Sequence, residues 1–213
     1  MFDTILFDLD GTLTDSGEGI INSVIPALEH YGLPIPDRQT LRVFVGPPLH
    51  DMFVEFGVPA DKADEAVEIF RARYNTIGKF ENTPYPGIRE MLAHLKSNGF
   101  SLLIATSKPE RTAIEVLEHF DLAKYFDKIC GASLDRSRDK KEQVIAYLLE
   151  QSRGAQMVMV GDTAFDVIGA AAHNIPCIGV AWGYGKTEDM VQAGAAFIAD
   201  SVADLQYILE NQI

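Results

Sequence analysis

The sequence predicts an α/β protein: a doubly wound parallel sheet of the Rossmann type, interrupted near its start by an all-helical insertion. Three observations predict it. Short, almost uniformly apolar runs recur along the chain, as strands buried on both faces require. Amphipathic helical patterns separate them. Residues 15–81 break that rhythm, with helical periodicity and no convincing strand.

The apolar runs are Thr4 to Phe7, Leu102 to Ala105, Lys128 to Cys130, Met157 to Val160 and Cys177 to Val180, with Ala196 to Ile198 a weaker sixth. Between them, helices are expected over Pro86 to Asn98, stopped by Gly99, and over Pro109 to His119, Lys140 to Gln151 and Ala164 to His173. The interrupting block reads as four helices, about Ser16 to His30, Arg38 to Phe44, Pro48 to Phe56 and Asp61 to Ile77, with Pro26 expected to kink the first. Residues 1–14 and 82–213 are thus expected to form the core and 15–81 a lid above the carboxyl end of the first strand, where doubly wound sheets bind ligands.

The 213 residues carry 18 Lys+Arg against 31 Asp+Glu, a net charge of -13, which disfavours nucleic acid and anionic membrane surfaces as partners. An anionic ligand then needs a site locally rich in lysine, backbone N–H groups or metal. Cys130 and Cys177 lie in apolar runs without metal-ligand spacing and read as small buried hydrophobes, which fits a reducing compartment. The amino terminus lacks a basic leader and no apolar run approaches membrane-spanning length, so a cytoplasmic location is expected.

Chemistry-bearing residues gather where these strands end. The first strand runs into "FDLDGTLTDS", with Asp8 and Asp10 two apart and Gly11 permitting a sharp turn. Residues two apart on an extended strand face one side, so both carboxylates are candidates for one site, where a hard cation would relieve their repulsion. Spacing alone equally suits a turn with exposed aspartates. "MVMVGDTAFDV" places Asp162 and Asp166 at a strand-to-helix junction, on one face of the first helical turn, where a helix cap is the lesser alternative for Asp162. "SLLIATSKP" brings Thr106, Ser107 and Lys108 to another strand end, with a helix to follow, a setting that favours phosphate or merely caps the helix. Lys140 and Lys141 open a helix, an unfavourable place for a cation unless an anion compensates it, though a solvated basic pair is the ordinary alternative.

Taken together and in order, "FDLDGTLTDS", Thr106 of "ATSK", a lysine near Lys141 and "GDTAFD" resemble the four motifs of the haloacid dehalogenase-like hydrolase superfamily, and the helical block resembles its C1 cap. The resemblance implies a phosphatase in which Asp8 attacks phosphorus and Asp10 is the general acid/base. It implies Mg²⁺ held by the Asp8 side chain, the Asp10 carbonyl and Asp162, with Asp166 ordering coordinated water or Lys141. Thr106, Lys141 and the backbone N–H groups around Leu9 and Ser107 would share the phosphoryl oxygens. Lys141 is preferred to Lys140 because it keeps the lysine-x-x-apolar spacing into the helix.

Asp10 argues against a dehalogenase. The "DSGEGIINSV" stretch lacks the histidine usual in related phosphomutases, and no motif is missing as in a non-catalytic relative. The expected substrate is a small phosphorylated metabolite. The cap stretch Val43 to Phe53 and "TSKP" are similar to a 5′-nucleotidase-like branch, which favours nucleoside 5′-monophosphates. Chain length and "GYG" at Gly183 to Gly185 also suit phosphoglycolate phosphatases, and a broad-specificity sugar-phosphate phosphatase stays open as an alternative. Arg42, Gly46, Pro47 and His50 are the candidate specificity residues of the cap. Phe44, Phe53 and Phe56 are read as cap packing rather than a stack for a base, and Trp182 and Tyr184 as packing or a border of the entrance.

Overall fold

A computed structural model describes residues 2–133, 135, 137–151 and 155–211. In chain order the strands are β1 (Thr4–Phe7), β2 (Thr14–Asp15), β3 (Thr83–Pro84), β4 (Ser101–Pro109), β5 (Lys128–Ala132), β6 (Met157–Gly161), β7 (Cys177–Val180) and β8 (Phe197–Ala199). The helices are α1 (Gly17–His30), α2 (Arg38–Leu41), α3 (Leu49–Glu55), α4 (Ala63–Tyr74), α5 (Ile88–Ser97), α6 (Glu110–His119), α7 (Lys141–Gln151), α8 (Ala164–Ala171), α9 (Thr187–Gln192) and α10 (Val202–Asn211). Two compact units result, one of Met1–Thr14 with Pro84–Ile213 and one of Asp15–Thr83.

The larger unit is a parallel sheet in the order β5-β4-β1-β6-β7-β8. Its period of two decides which face each side chain covers. Ile5, Phe7, Leu102, Ile104, Val158, Val160, Ile178 and Val180 pack with Met91 and Leu95 of α5, Val116 of α6 and Leu205 and Ile208 of α10. Their alternates Leu6, Leu103, Ala105, Met157, Met159 and Cys177 pack with Val144 and Leu148 of α7, Val167 of α8 and Met190 of α9. Helices therefore cover both faces, which is why the strands read as apolar runs without alternation.

Chain direction across the sheet reverses about β1, which pairs with β4 on one side and β6 on the other. Phe7 lies in register with Ile104 and with Val160. The segments that follow on all three strands consequently lie side by side, at the crevice where such sheets take ligands.

Several boundaries differ from those expected. β4 continues through Thr106 to Pro109, because after a register shift Pro109 pairs with Ala132. α9 and α10 went unpredicted. The first buries only Met190, so it has no periodic apolar face to read. The second did carry a signal in the i, i+3, i+4 spacing of Leu205, Ile208 and Leu209.

In the smaller unit Pro26 sits inside the single helix α1. A Cβ on Gly19 would lie 1.8 Å from the Gly78 carbonyl oxygen, so glycine permits that backbone approach. Arg73 grips both carboxylate oxygens of Glu81 at 2.7 and 2.8 Å. Phe44 and Phe53 are buried with ring centroids 5.2 Å apart, and Phe56 lies 4.7 Å from Phe44. These rings form the unit's own packing. Among the described residues no helix is long and apolar enough to cross a membrane.

Candidate active site

The site begins where β1 stops. Asp8 adds one rung to the ladder by donating its N–H to the Val160 carbonyl at 2.9 Å. The chain then turns: Leu13 and Thr14 both donate to the Leu9 carbonyl, and Gly11 donates to that of Thr14. Gly11 has φ +83°, and a Cβ there would stand 2.2 Å from Asp162 Oδ2. Both the backbone conformation and the space require glycine.

This turn gives the two aspartates different partners. Lys141 Nζ lies 2.9 Å from Asp8 Oδ1 and 2.7 Å from Asp166 Oδ1, and donates to the Ala105 carbonyl at 2.8 Å. Lys141, the first residue of α7, is thus a cation at a helix start compensated by two carboxylates. A Cβ on Gly169 of α8 would come within 2.7 Å of Lys141 Cγ, so that glycine clears the lysine's stem. Lys140 is exposed and serves the helix start through its backbone, its N–H donating to Gln143 Oε1. Asp10 is paired with Lys108 instead, at 2.6 and 2.8 Å to its two oxygens.

At the end of β6, Asp162 accepts from the Thr12 hydroxyl at 3.1 Å and from the Tyr184 N–H at 2.8 Å. It is not a helix cap: Thr163 takes that position, and Asp166 closes a capping box by accepting from the Thr163 N–H and hydroxyl. Asp166 thereby ties the start of α8 to Lys141. Thr106 is buried, its hydroxyl hydrogen-bonding towards Asp8 and accepting the Lys108 N–H at 3.2 Å, while Ser107 is half-buried. The Leu9 N–H donates to Asp8 Oδ1 at 2.7 Å.

Ligand oxygens of Asp8, Asp162 and Asp166 all lie within 4.8 Å of one another, and all three residues are buried. Burial pushes the Asp162 carboxyl up to about 8, and the charges of Asp166 and Asp8 add to that. Asp8 rises to about 6, again chiefly through burial, with Lys141 opposing the rise and Asp166 reinforcing it. For Lys141 burial works against the charge, but Asp166 and Asp8 outweigh it and hold the ammonium above its ordinary range. Asp162 faces a hydroxyl and an amide rather than a cation. Such an oxygen-only, charge-rich cluster could hold a hard divalent cation.

Both raised carboxyls predict how stability follows pH without a divalent cation. Their unfolded value is near 3.8, so between about pH 4 and pH 8 the unfolded chain releases protons that the native cluster retains. The cluster's stability is present at low pH and lost as pH rises through 6 and 8. Urea unfolding in EDTA at pH 5 and 8, compared between wild type and Asp162→Asn, should show the variant gaining relative stability at the higher pH. A constant difference would mean that Asp162 is not proton-linked to folding.

Arg42, Gly46, Pro47 and His50 belong to the helical unit. Arg42 is half-buried at the start of a short 3₁₀ turn, Gly46 is exposed with φ +105°, Pro47 is half-buried, and His50 lies 3.3 Å from Asp51 and 4.0 Å from Asp64. Trp182 donates its indole N–H to the Thr12 carbonyl at 3.1 Å and is packed edge-on to Tyr85. Sequence reasoning gave no individual role to Lys108, nor to Gly183 as a neighbour of Asp162. A Cβ on Gly183 would lie 2.2 Å from Asp162 Cβ. The available signal for Lys108 was its place two residues beyond Thr106 on an extended strand end.

The chain matches the family described as haloacid dehalogenase-like hydrolase over residues 5–180. It is 44% identical over 186 residues to the tyrosine-protein kinase PtkA of Mycobacterium tuberculosis, a match covering 86% of this chain and 64% of that relative's length. It is 38% identical over 213 residues to a 5′-nucleotidase of Pseudomonas aeruginosa, covering 99% of this chain and 96% of that protein. A crystal structure described as a predicted phosphatase from Clostridium acetobutylicum superposes with a TM-score of 0.94 at 44% identity, covering 99% of both chains. With its sheet order, its carboxylate cluster and a family match across most of its length, the chain belongs to the haloacid dehalogenase-like hydrolases.

Proposed function

We propose that the chain is a phosphomonoester hydrolase with Asp8 as nucleophile and Asp10 as general acid/base. The observation that carries this reading is the division of two aspartates, two residues apart, between two buried ammonium groups: Asp8 with Lys141 and Asp10 with Lys108. In the first half-reaction an Asp8 carboxylate oxygen bonds to phosphorus as the bond from phosphorus to the leaving oxygen breaks, and Asp10 protonates that oxygen. In the second, water attacks phosphorus, its proton passes to Asp10, and the Asp8 carboxylate is released with inorganic phosphate. Lys141 and Thr106 supply positive charge and a hydrogen bond beside Asp8, where phosphoryl oxygens gather charge.

The Asp8 and Asp162 carboxylates and the Asp10 carbonyl would hold Mg²⁺, with Asp166 bracing Lys141. When bound, the cation offsets the repulsion between an anionic nucleophile and an anionic substrate. The favoured substrates are nucleoside 5′-monophosphates, supported by the 5′-nucleotidase relative that matches this chain along nearly its full length. A second reading, transfer of the phosphoryl group from Asp8 to a tyrosine hydroxyl rather than to water, has the kinase-named relative in its favour.

Phosphate release should be followed with Mg²⁺ and with EDTA, on nucleoside monophosphates, phosphoglycolate, sugar phosphates and p-nitrophenyl phosphate. Release that needs Mg²⁺ and is fastest with a nucleoside monophosphate is expected. A preference for phosphoglycolate or sugar phosphates would overturn the substrate class, and no release from any of them would overturn the hydrolase.

A further inference from the structure

The Lys108–Asp10 pair has a geometry that ordinary surface ion pairs lack. The lysine side chain is 3% exposed and the aspartate 12%, and the ammonium meets both carboxylate oxygens. The root of the lysine is fixed as well, because its N–H donates to the Thr106 hydroxyl at the irregular end of β4. Asp10, in contrast, lies beyond the end of β1, in a turn whose next residue has a positive φ. A carboxylate there has rotamers to choose from, and a buried cation at both of its oxygens selects one.

We propose that Lys108 is the positioning residue of Asp10: it holds the carboxylate in the orientation from which a proton reaches the leaving oxygen, without itself touching substrate. This rests on the phosphatase reading given above. Under that reading the proton moves from Asp10 to the leaving oxygen as the phosphorus–oxygen bond breaks. A misplacement of about 1 Å can cost such a step about 10²-fold. The contribution of Lys108 must then scale with how much the leaving group needs a proton. Alkoxides of nucleoside or sugar phosphates need one, whereas p-nitrophenolate leaves without it.

The test uses kcat/KM, which reports the steps up to loss of the leaving group and is blind to the later attack of water. Lys108→Met should lower kcat/KM about 30-fold on the best alkyl phosphate but less than about 3-fold on p-nitrophenyl phosphate, a split smaller than the roughly 10²–10⁴-fold of a whole general acid because the acid itself remains. In an Asp10→Asn background the same replacement should cost less than about 3-fold on the alkyl phosphate, since the group it positions is gone. Equal losses on both substrates would assign Lys108 to phosphate binding and overturn the proposal, as would losses that simply multiply in the double variant. Should Lys108→Met fold poorly, Lys108→Gln carries the same comparison with a polar side chain. A wild type inactive on every ester would defeat the phosphatase reading, and this proposal with it, whereas active wild type with multiplying losses defeats this proposal alone.

Discussion

Asp8→Asn is expected to reduce phosphate release by about 10⁴-fold or more, a loss on the scale seen when a covalent nucleophile is removed. The amide matches the carboxylate in shape and can still accept the Leu9 N–H that now reaches Asp8 Oδ1. It cannot form the acyl phosphate. The fold should survive, and the reason lies in the sign of the carboxyl's displacement. Burial makes ionised Asp8 unfavourable, raising it to about 6, so above that pH the native state holds an anion it would shed. A neutral amide removes one of three clustered acids, and the melting temperature at pH 8 in EDTA should equal or exceed that of wild type. Phosphate release beside a thermal melt reads both effects. Activity retained in a well-folded variant would sink the assigned nucleophile.

Lys141→Met should damage folding as well as activity. One ammonium faces Asp8 and Asp166 and also satisfies the Ala105 carbonyl, so its removal strands two buried carboxylates and one backbone acceptor. Removing one partner of a buried ion pair costs about 3–5 kcal/mol. For a chain of this size that lowers the melting temperature on the order of 10 °C. Asp8, whose carboxyl burial already raises to about 6, can escape by taking up a proton, so the deficit should be smaller at pH 5 than at pH 8. Activity should fall at both. A deficit that does not depend on pH would indicate that the lysine's packing, not its charge, supports the fold.

Much of the sheet was legible because both of its faces are covered. Ile5 and Phe7 serve one layer and Leu6 the other, so the run reads as continuously apolar, and the same holds for residues 157–160. The acid cluster was legible where turn chemistry punctuates a strand end, at Asp8 to Thr12 and Gly161 to Asp166. Contacts between distant segments were not. Asp10 meets its cation 98 residues along the chain, and the amide that fixes Asp162 lies 22 residues further on, at Tyr184. No local pattern encodes those pairings. They follow from β4 lying beside β1 and β7 beside β6, a consequence of strand order rather than of any one motif. The choice between Lys140 and Lys141 is similar: helix phase turns one residue inward and leaves its neighbour in water.

The larger unit is interrupted between Thr14 and Pro84. Its two cut ends are hydrogen-bonded neighbours, Tyr85 N–H to the Leu13 carbonyl at 3.0 Å, and the helical unit closes on itself likewise through Gly19 N–H and the Glu81 carbonyl at 3.0 Å. Each unit therefore presents its entry and exit points together, as a cassette does. Exchanging one helical segment for another in such a loop asks almost nothing of the sheet, since the entropy of closing the core's chain depends only weakly on what fills the gap. Residues 15–83 can in this way be exchanged as one piece while the acids and lysines around β1 keep their places.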